Sequence, residues 1–375
     1  MRIGIDARPA LYGCTGIGVY VRELVAALAV SGQADRIEAY GHRFRRRHER
    51  LERPGWPAAV RLHDLPLPVT LVRWGARVGL HAPRLLGGVD VLHLTDYVHL
   101  PAGRVPVVAT VHDTLFATLP DCYTPSMRTA LDQVTRQLLA RATRVLVPCE
   151  RVRGDLVRLY GAHPARVDVV AHGTPRLPQP SPEGVAAVRG LGRFVLALGT
   201  LEPRKNLPRL MEAMDRVRRD DAQMGLVVVG HRGWLDEPIL EAMATRAWVR
   251  HEPGASRERI ACLLRGAEVL AYPSLGEGFG LPVLEGAHAG VPVLVGTGTA
   301  AHDVGGEAVL AVDALSVDAI AEGLVRLLQD GPLRERLVRA GQDLAARHTW
   351  EACARGTRAC YAAAVDGGEP RGVLA

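Results

Sequence analysis

The chain has 375 residues, of which 48% are hydrophobic and 5% are aromatic. This length suits two domains rather than one, and cores built from aliphatic side chains suit α/β layers rather than an all-β sandwich. The formal net charge is +6, but lysine occurs once, so 45 of the 46 basic residues are arginine. Because this bias belongs to the whole composition and no basic patch is interleaved with aromatic residues, the charge does not indicate a nucleic-acid partner.

The N-terminus and the cysteines indicate a cytoplasmic protein. The sequence MRIGIDARP leads directly into a strand pattern and does not resemble a signal peptide. None of the six cysteines forms a C-x-x-C pair or has zinc-ligand spacing, so we expect reduced thiols. No apolar run reaches the ~18 residues that a membrane-spanning helix needs.

Short apolar runs alternate with helical patterns in the N-terminal half. The predicted strands are 2–6, 37–42, 90–94, 107–113, 144–149 and 167–172, and the first helical pattern covers 17–30. Several of the runs are hydrophobic throughout, as in parallel strands that are buried on both faces. We therefore predict an N-terminal doubly wound domain over residues 1–175.

Residues 176–192 are rich in Pro and Gly and have weak periodicity, which predicts an interdomain linker. The alternation then restarts. The predicted strands are 194–200, 226–230, 248–252, 269–274, 292–296 and 308–312, and the helical patterns are 206–219, 236–246, 256–265, 281–290, 316–330 and 333–365. This pattern predicts a second doubly wound domain over 193–350. Residues 351–375 are expected to be a helix that returns to the N-terminal domain, followed by a tail.

The resulting fold class is α/β, with two Rossmann-like doubly wound domains. Each domain would offer the C-terminal ends of its strands as a ligand-binding edge. We expect the two domains to face each other across a cleft, which is the usual place for a substrate.

The single lysine, Lys205, lies in GTLEPRKN (residues 199–206), between a predicted strand and a predicted helix. Backbone amides at a helix N-terminus favour an anion, and Arg204 and Lys205 add two cations there. A pyrophosphate group suits such a site. The alternative is a surface lysine without a role.

A glycine-rich loop, SLGEGFGLPVLE (residues 274–285), follows another predicted strand and opens a predicted helix. Its glycines let the backbone approach a ligand closely, and Pro282 suits the first turn of a helix. Glu277 and Glu285 flank the helix start, so they could hold hydroxyl groups on either side of a bound pyrophosphate. The alternative is an ordinary helix start that carries a glutamate.

Together, EGFGLPVLE with its E-x7-E spacing and GTLEPRKN resemble glycosyltransferase family 4, and the resemblance covers nearly the whole chain. It implies a retaining, nucleotide-sugar-dependent enzyme of GT-B fold with an acceptor-binding N-terminal domain. One position departs from many members of the family, in which an arginine follows the glycine at the end of the first C-domain strand. Here that residue is Thr200, so Arg204 would supply the second cation.

The resemblance also assigns roles to single residues. It implies four catalytic residues, His112, Glu277, Lys205 and Arg204. It implies eight donor-binding residues, Gly16, Gly18, Thr200, Gly278, Phe279, Gly280, Leu281 and Glu285. His112 would contact the donor sugar or its leaving side, and a structural histidine is the alternative.

No clear D-x-D metal motif is present, so we expect transfer without a metal and without a cofactor other than the donor substrate. The basic site would stabilise the departing phosphate. Two further classes stay open, a GT-B-type sugar-nucleotide epimerase and a catalytically inactive sugar-nucleotide-binding module.

The acceptor is less defined by the sequence. Residues 43–53 hold six arginines, and residues 69–80 mix apolar and basic side chains. These segments could lie peripherally on the inner face of an anionic membrane and meet a lipid-linked acceptor. A solvated loop and a soluble acceptor are the alternative.

Overall fold

A computed structural model describes residues 1–12, 15–31, 35–42, 54–65, 81–97 and 100–367. The chain forms two compact units. The first contains Met1–Thr114, Thr129–Gly173 and Trp350–Ala375. The second contains Leu115–Arg128 and Thr174–Thr349. The arginine-rich segment 43–53 and the apolar–basic segment 69–80 both lie outside the described residues.

A parallel sheet forms the centre of the first unit. In the described part of this unit its strands are β1 (Arg2–Asp6), β2 (Arg36–His42), β3 (Val60–Leu65), β4 (Val91–Leu94), β5 (Val107–Thr110), β6 (Arg144–Val147) and β7 (Val167–Val169). The strand order is β3-β2-β1-β4-β5-β6-β7. The order reverses beside β1, which pairs with β2 on one side and β4 on the other.

Helices cover both faces of this sheet. They are α1 (Arg8–Tyr12), α2 (Gly16–Ser31), α3 (Ala82–Leu85), most of α5 (Pro125–Arg141), α6 (Glu150–Tyr160) and, from the end of the chain, α15 (Trp350–Asp366). Helix α4 (Leu115–Thr118) and the start of α5 belong to the second unit. Helices α2 and α15 pack against each other and share one apolar core with β1. Helices α3, α5 and α6 share a second core on the opposite face.

The second unit also contains a parallel sheet. Within the described residues its strands are β8 (Phe194–Leu198), β9 (Gly225–Val229), β10 (Val249–Glu252), β11 (Val269–Tyr272), β12 (Val293–Gly296) and β13 (Val309–Val312), in the order β10-β9-β8-β11-β12-β13. All pairs are parallel, and the complete burial of β8, β11 and β12 explains their continuous apolar runs.

The helices of the second unit again form two layers. They are α7 (Pro182–Arg189), α8 (Leu207–Asp220), α9 (Glu237–Ala244), α10 (Arg257–Gly266), α11 (Leu281–Ala289), α12 (Ala300–Gly305), α13 (Val317–Gln329) and α14 (Gly331–Arg347). Helices α8, α9 and α13 and the start of α14 bury apolar side chains in one core. Helix α11 lies on the other face, where Gly286 touches side chains of β11 and β12.

The structure differs from the sequence-based expectation in four segments. Strand β3 was not predicted. Part of the expected linker, α7, is a helix capped by Ser181 and packed on α10, where small residues allow close contact. The helical pattern 333–365 is two helices, since the chain leaves the second unit after Thr349 and enters the first at Trp350.

The fourth difference concerns residues 115–128, which were expected in the N-terminal domain and belong to the second unit. Two contacts hold them there. The Trp234 indole nitrogen donates to the carbonyl of Cys122 at 2.7 Å. The side chain of Leu119 lies where a Cβ on Gly276 would come within 2.6 Å of its Cδ1. Such contacts join distant parts of the chain and leave no periodic pattern.

None of the helices in the described ranges is both long enough and apolar enough to cross a bilayer.

We expect Gly286→Ala to destabilise the second unit by about 1–3 kcal/mol, because small-to-large changes in a packed core force neighbours to move. A Cβ on Gly286 would lie 2.8 Å from both Leu270 Cδ2 and Val293 Cγ2. The matched control is Gly154→Ala in α6, where a Cβ meets nothing within 4 Å. This control should gain about 0.5–1 kcal/mol from helix propensity. Urea unfolding measures the change in the free energy of unfolding for each variant. Equal changes in the two variants would contradict this packing.

Candidate active site

The second sheet has its topological switch point between β8 and β11, because the chain leaves these neighbours toward opposite edges of the sheet. In open α/β sheets, ligands bind at the carboxyl ends of the strands at such a point. The loop after β8 carries Arg204 and Lys205, and the loop after β11 carries Glu277. Sequence reasoning placed all three residues in the site, and the structure brings their side chains together.

Lys205 lies in a 3₁₀ turn, Pro203–Lys205, and its side chain is only 8% exposed. Its ammonium donates to Glu277 Oε1 and to the Tyr272 hydroxyl, both at 2.7 Å. The nitrogen also lies 4.6 Å from the centre of the Tyr272 ring, within range of a cation–π interaction. The lysine stem passes over Gly199, where a Cβ would come within 3.0 Å of Lys205 Cε. The ammonium therefore occupies a narrow, defined position.

Arg204 binds the other oxygen of the same carboxylate. Its Nη1 lies 2.7 Å from Glu277 Oε2 and 3.2 Å from the carbonyl oxygen of Gly276. Its Nη2 lies 2.5 Å from Oε1 of the buried Glu202. We call Glu202, Arg204, Lys205 and Glu277 the ion-pair cluster; with two cations and two carboxylates, its formal charge is zero.

Burial and charge act in opposite directions on Glu277. Burial raises the pKa of the carboxyl, but the charges of Arg204 and Lys205 together lower it by more, so that the resulting pKa is about 2. Burial also lowers the pKa of the Lys205 ammonium, and so does the neighbouring Arg204, while Glu277 opposes both effects. An ionised Glu277 accepts hydrogen bonds and is a weak base.

Asn206 joins the two loops of the site, and sequence reasoning missed it. Its backbone has a positive φ of 59°, which Asn tolerates better than most residues. Its side-chain amide donates to the carbonyls of Pro273 at 3.0 Å and Ala314 at 2.7 Å. Tyr272 and Glu202 were missed too. An asparagine as the first residue of a helical pattern was an available signal for Asn206. The roles of Tyr272 and Glu202 depend on their buried partners, which the sequence does not reveal.

The glycine-rich loop leads into α11. Gly280 has φ of 106° at the residue before the helix, where a Cβ would also lie 2.9 Å from that of Ala301. Phe279 is buried, and its ring meets that of His348 edge-on at 6.1 Å. Gly278 and Leu281 are half-buried on either side of these two residues. The loop thus presents backbone at the N-terminus of α11, where amide groups favour an anion.

Glu285 lies in α11 and has a different partner from Glu277. Its Oε1 is 2.5 Å from Nη1 of Arg257, the first residue of α10. Arg257 also donates from Nη2 to the carbonyl of Arg176 at 3.3 Å. The two glutamates of the E-x7-E spacing are therefore both ion-paired, but with separate arginines.

Thr200, half-buried after β8, is not part of the ion-pair cluster. Its methyl group lies where a Cβ on Gly233 would approach within 2.8 Å, beside the loop that follows β9. The cations that neighbour Glu277 are Arg204 and Lys205.

The first unit holds the remaining predicted site residues. Gly16 is exposed at the start of α2, and Gly18 is buried and donates its amide to Thr15 Oγ1 at 3.2 Å. Residues 13–14 of the same glycine loop lie outside the described residues. The start of α2 therefore has exposed backbone at Gly16 and a side-chain cap at Thr15.

The first sheet has its switch point between β1 and β4. Asp6, at the end of β1, is fully buried, and burial raises the pKa of its carboxyl to about 7. Thr95, which follows β4, donates from its hydroxyl to the Asp6 carbonyl at 2.7 Å. Arg8 pairs with Asp96 at 2.6 Å. Polar groups thus surround this point as well.

His112 lies just beyond β5 and is 8% exposed. Its Nε2 is 2.9 Å from the carbonyl oxygen of Thr95. Since a carbonyl oxygen only accepts, Nε2 carries the proton and Nδ1 is the acceptor nitrogen of the neutral ring. Burial is the main cause that lowers the pKa of His112. The ring therefore offers a lone pair and no charge.

Within the described ranges, no group of three or more His, Cys, Asp or Glu side chains comes together in an arrangement that could hold a metal ion.

We expect Glu277→Gln to lower the free energy of unfolding by up to about 3–5 kcal/mol at neutral pH, because the buried Lys205 and the half-buried Arg204 lose the carboxylate that they share. The folded-state pKa of about 2 lies below the ordinary 4.5, so the stabilisation is complete above about 4.5 and is lost as pH falls toward 2. The difference between wild type and variant should therefore shrink from about pH 7 to about pH 3.5.

Urea unfolding at each pH provides the measurement. The control is Glu268→Gln, which removes a more exposed carboxylate paired with Arg193 at 3.0 Å in the same unit; it should cost about 1 kcal/mol or less. A wild-type-to-variant difference for Glu277→Gln that stays constant at all pH values would contradict the assignment.

Comparison with known proteins agrees with the geometry of both units. Residues 14–176 match the family described as Glycosyltransferase Family 4, and residues 187–344 match glycosyl transferases group 1. The O-antigen chain mannosyltransferase B of Escherichia coli is 27% identical, over 96% of this chain and 99% of that protein. The D-inositol 3-phosphate glycosyltransferase of Frankia alni is 30% identical, over 80% of this chain and 81% of that protein.

Solved structures show the same fold. The Anabaena protein HepE, whose crystal structure is in complex with UDP-glucose, has a TM-score of 0.72 at 14% sequence identity, over 97% of this chain and 100% of that chain. The expected GT-B architecture of two Rossmann-like α/β domains is thereby confirmed. The chain belongs to glycosyltransferase family 4 and is a glycosyltransferase.

Proposed function

We propose that this chain is a retaining, metal-independent enzyme that moves a hexosyl group from a nucleotide diphosphate sugar to an acceptor hydroxyl. The hexosyl group would be of the mannosyl, glucosyl or N-acetylglucosaminyl type. The observation that carries the proposal is the buried contact of Arg204 and Lys205 with Glu277 at the switch point of the second sheet. It offers cations for a diphosphate beside a carboxylate for sugar hydroxyls.

Lys205 and Arg204 would stabilise the leaving diphosphate. An ammonium has three hydrogens, and two of those on Lys205 go to Tyr272 and Glu277. The third can point at a phosphate oxygen without loss of the other two. Because the ion-pair cluster is formally neutral, the amides at the start of α11 would contribute further positive potential.

Glu277 would hold the hydroxyls of the donor sugar. With a pKa of about 2 the carboxylate is fully ionised at neutral pH and is a poor base. Both of its oxygens are already bonded to cations, which reduces its nucleophilicity. Glu277 is therefore better suited to orient the sugar than to form a covalent intermediate, and Glu285 would hold the ribose.

We propose that the acceptor attacks the anomeric carbon on the face from which the diphosphate leaves, which retains the configuration. The bond from the anomeric carbon to the diphosphate oxygen breaks as the bond to the acceptor oxygen forms on the same face. The acceptor proton passes to the departing phosphate oxygen, so no protein base is needed. His112 would accept a hydrogen bond from a sugar hydroxyl through Nδ1, because its Nε2 already donates to Thr95.

The relatives support this class of reaction. Their names specify a mannosyltransferase and an inositol phosphate glycosyltransferase, and the structure of HepE contains UDP-glucose. We propose a cytoplasmic enzyme whose acceptor is either soluble or lipid-linked. Peripheral contact of the N-terminal unit with the membrane belongs to the lipid-linked alternative.

The test of this function is release of free nucleotide from GDP-, UDP-, ADP- and TDP-sugars in the presence of EDTA. Wild type should hydrolyse one donor slowly, and Lys205→Ala should lose at least about 100-fold, as when a group that stabilises transition-state charge is removed. Binding without turnover would favour the inactive binding module, and a changed sugar configuration would favour the epimerase. A requirement for a divalent metal would overturn metal independence.

We expect Lys205→Arg to lose most of the activity while the protein folds normally. The buried slot between Gly199, Tyr272 and Glu277 fits a slim ammonium, whereas a guanidinium is a wider, planar fork. Nucleotide release measures the activity, and circular dichroism and thermal unfolding measure the fold. The control is Arg219→Lys, an exposed residue near the end of α8. Near-wild-type turnover of Lys205→Arg would refute the steric argument.

A further inference from the structure

A chain of hydrogen bonds crosses the interior of the first unit. The Tyr361 hydroxyl on α15 lies 2.7 Å from Nδ1 of His93 on β4. His93 Nε2 lies 2.7 Å from the Thr110 hydroxyl at the end of β5. That hydroxyl lies 3.1 Å from the Tyr20 hydroxyl on α2. We call Tyr361, His93, Thr110 and Tyr20 the tyrosine chain; it connects the last helix of the protein with the first sheet and α2.

The tyrosine chain ends against His112. The Tyr20 ring meets the His112 ring edge-on, with centroids 5.1 Å apart and planes at 81°. Tyr20 also lies 4.5 Å from the ring of His172, which is 5.9 Å from the His112 ring and stacks on Trp350 of α15. The imidazole of His112 is thus held by its bond to the Thr95 carbonyl and by the rings of Tyr20 and His172.

Burial excludes direct contact between the tyrosine chain and a substrate. Its four members are at most 3% exposed, whereas His112 is 8% exposed. Burial, together with His112, lowers the pKa of His93 to about 3, so His93 is neutral and has one donor and one acceptor nitrogen. A neutral histidine can therefore link the hydrogen bonds on its two sides, and so connect the two tyrosines, without placing a charge in the interior.

We propose that the tyrosine chain positions the imidazole of His112, so that the last helix of the protein contributes to the reaction through Tyr361. This inference rests on the role of His112 in the proposed function. The four residues are positioning residues. Loss of either tyrosine hydroxyl leaves a buried partner unsatisfied and frees the Tyr20 ring to tilt, which loosens the contact with His112.

Kinetics of Tyr20→Phe and Tyr361→Phe test the proposal with the donor that the nucleotide-release panel selects. Each variant should lower kcat about 3–10-fold, the size of one buried hydrogen bond, with KM for the donor within about twofold of wild type. The kcat of the double variant should equal that of the less active single variant, because both changes interrupt the same chain of hydrogen bonds. Additive losses, unchanged kcat, or an effect confined to KM would overturn it.

The control is Tyr160→Phe, which removes a hydroxyl on α6 of the same unit, where the ring packs under Arg136 at 5.1 Å. It should leave kcat unchanged. Thermal unfolding of all variants separates a general loss of stability from the kinetic effect.

A second measurement does not depend on activity. In ¹⁵N-histidine NMR spectra, wild-type His112 should be a single Nε2–H tautomer, and Tyr20→Phe and Tyr361→Phe should broaden its signals or add the second tautomer. Unchanged His112 signals in both variants would overturn the positioning role. If wild type releases nucleotide from no donor, the proposed function fails, while these spectra still decide the inference.

Discussion

The carboxylate of Glu277, held between Arg204 and Lys205, is the interaction on which the second unit's site depends. A buried carboxylate without partners would take up a proton, and two adjacent buried cations without a carboxylate would repel each other. The cluster resolves both problems and joins the loops that follow β8 and β11. It therefore fixes backbone geometry and charge at the same place, the switch point of the sheet.

The single lysine has a physical explanation in this arrangement. Arg204 reaches two carboxylates and a carbonyl with its planar fork. The stem of Lys205 instead passes over Gly199, and its ammonium lies against the Tyr272 ring. This narrow space fits only a slim side chain with a compact charge. The two neighbouring cations are thus not interchangeable, although they contact the same carboxylate.

The two units contribute different chemistry. The site of the second unit consists of paired charges, whereas His93, His112 and His172 of the first unit are buried and uncharged. His93, His112 and His172 all have a lowered pKa, chiefly through burial. Neutral rings with defined tautomers suit hydrogen bonds to hydroxyls, and paired cations suit a diphosphate. Each unit therefore offers its own kind of polar group at the carboxyl edge of its sheet.

Much of the fold was predictable because parallel strands buried on both faces give continuous apolar runs. Every predicted strand exists, although five of the twelve end two or three residues early. The excess residues, such as His112 and Thr200, lie in the loops at the carboxyl edges of the sheets. Strand β3 was missed because its sequence, VRLHDL, alternates apolar and polar residues over a short stretch. Helix α7 was missed because Pro and Gly around it are typical of a linker.

By itself, the sequence determined the α/β class, the family, and the two loops that carry Arg204, Lys205 and Glu277, because local patterns encode strands, helix starts and glycine-rich loops. Only the tertiary structure decided the partners. Glu285 pairs with Arg257 across 28 positions, Lys205 with Tyr272 across 67, and His93 with Tyr361 across 268. It also decided that residues 115–128 belong to the second unit rather than to the first. Such contacts depend on packing between distant segments, and no local periodicity records them.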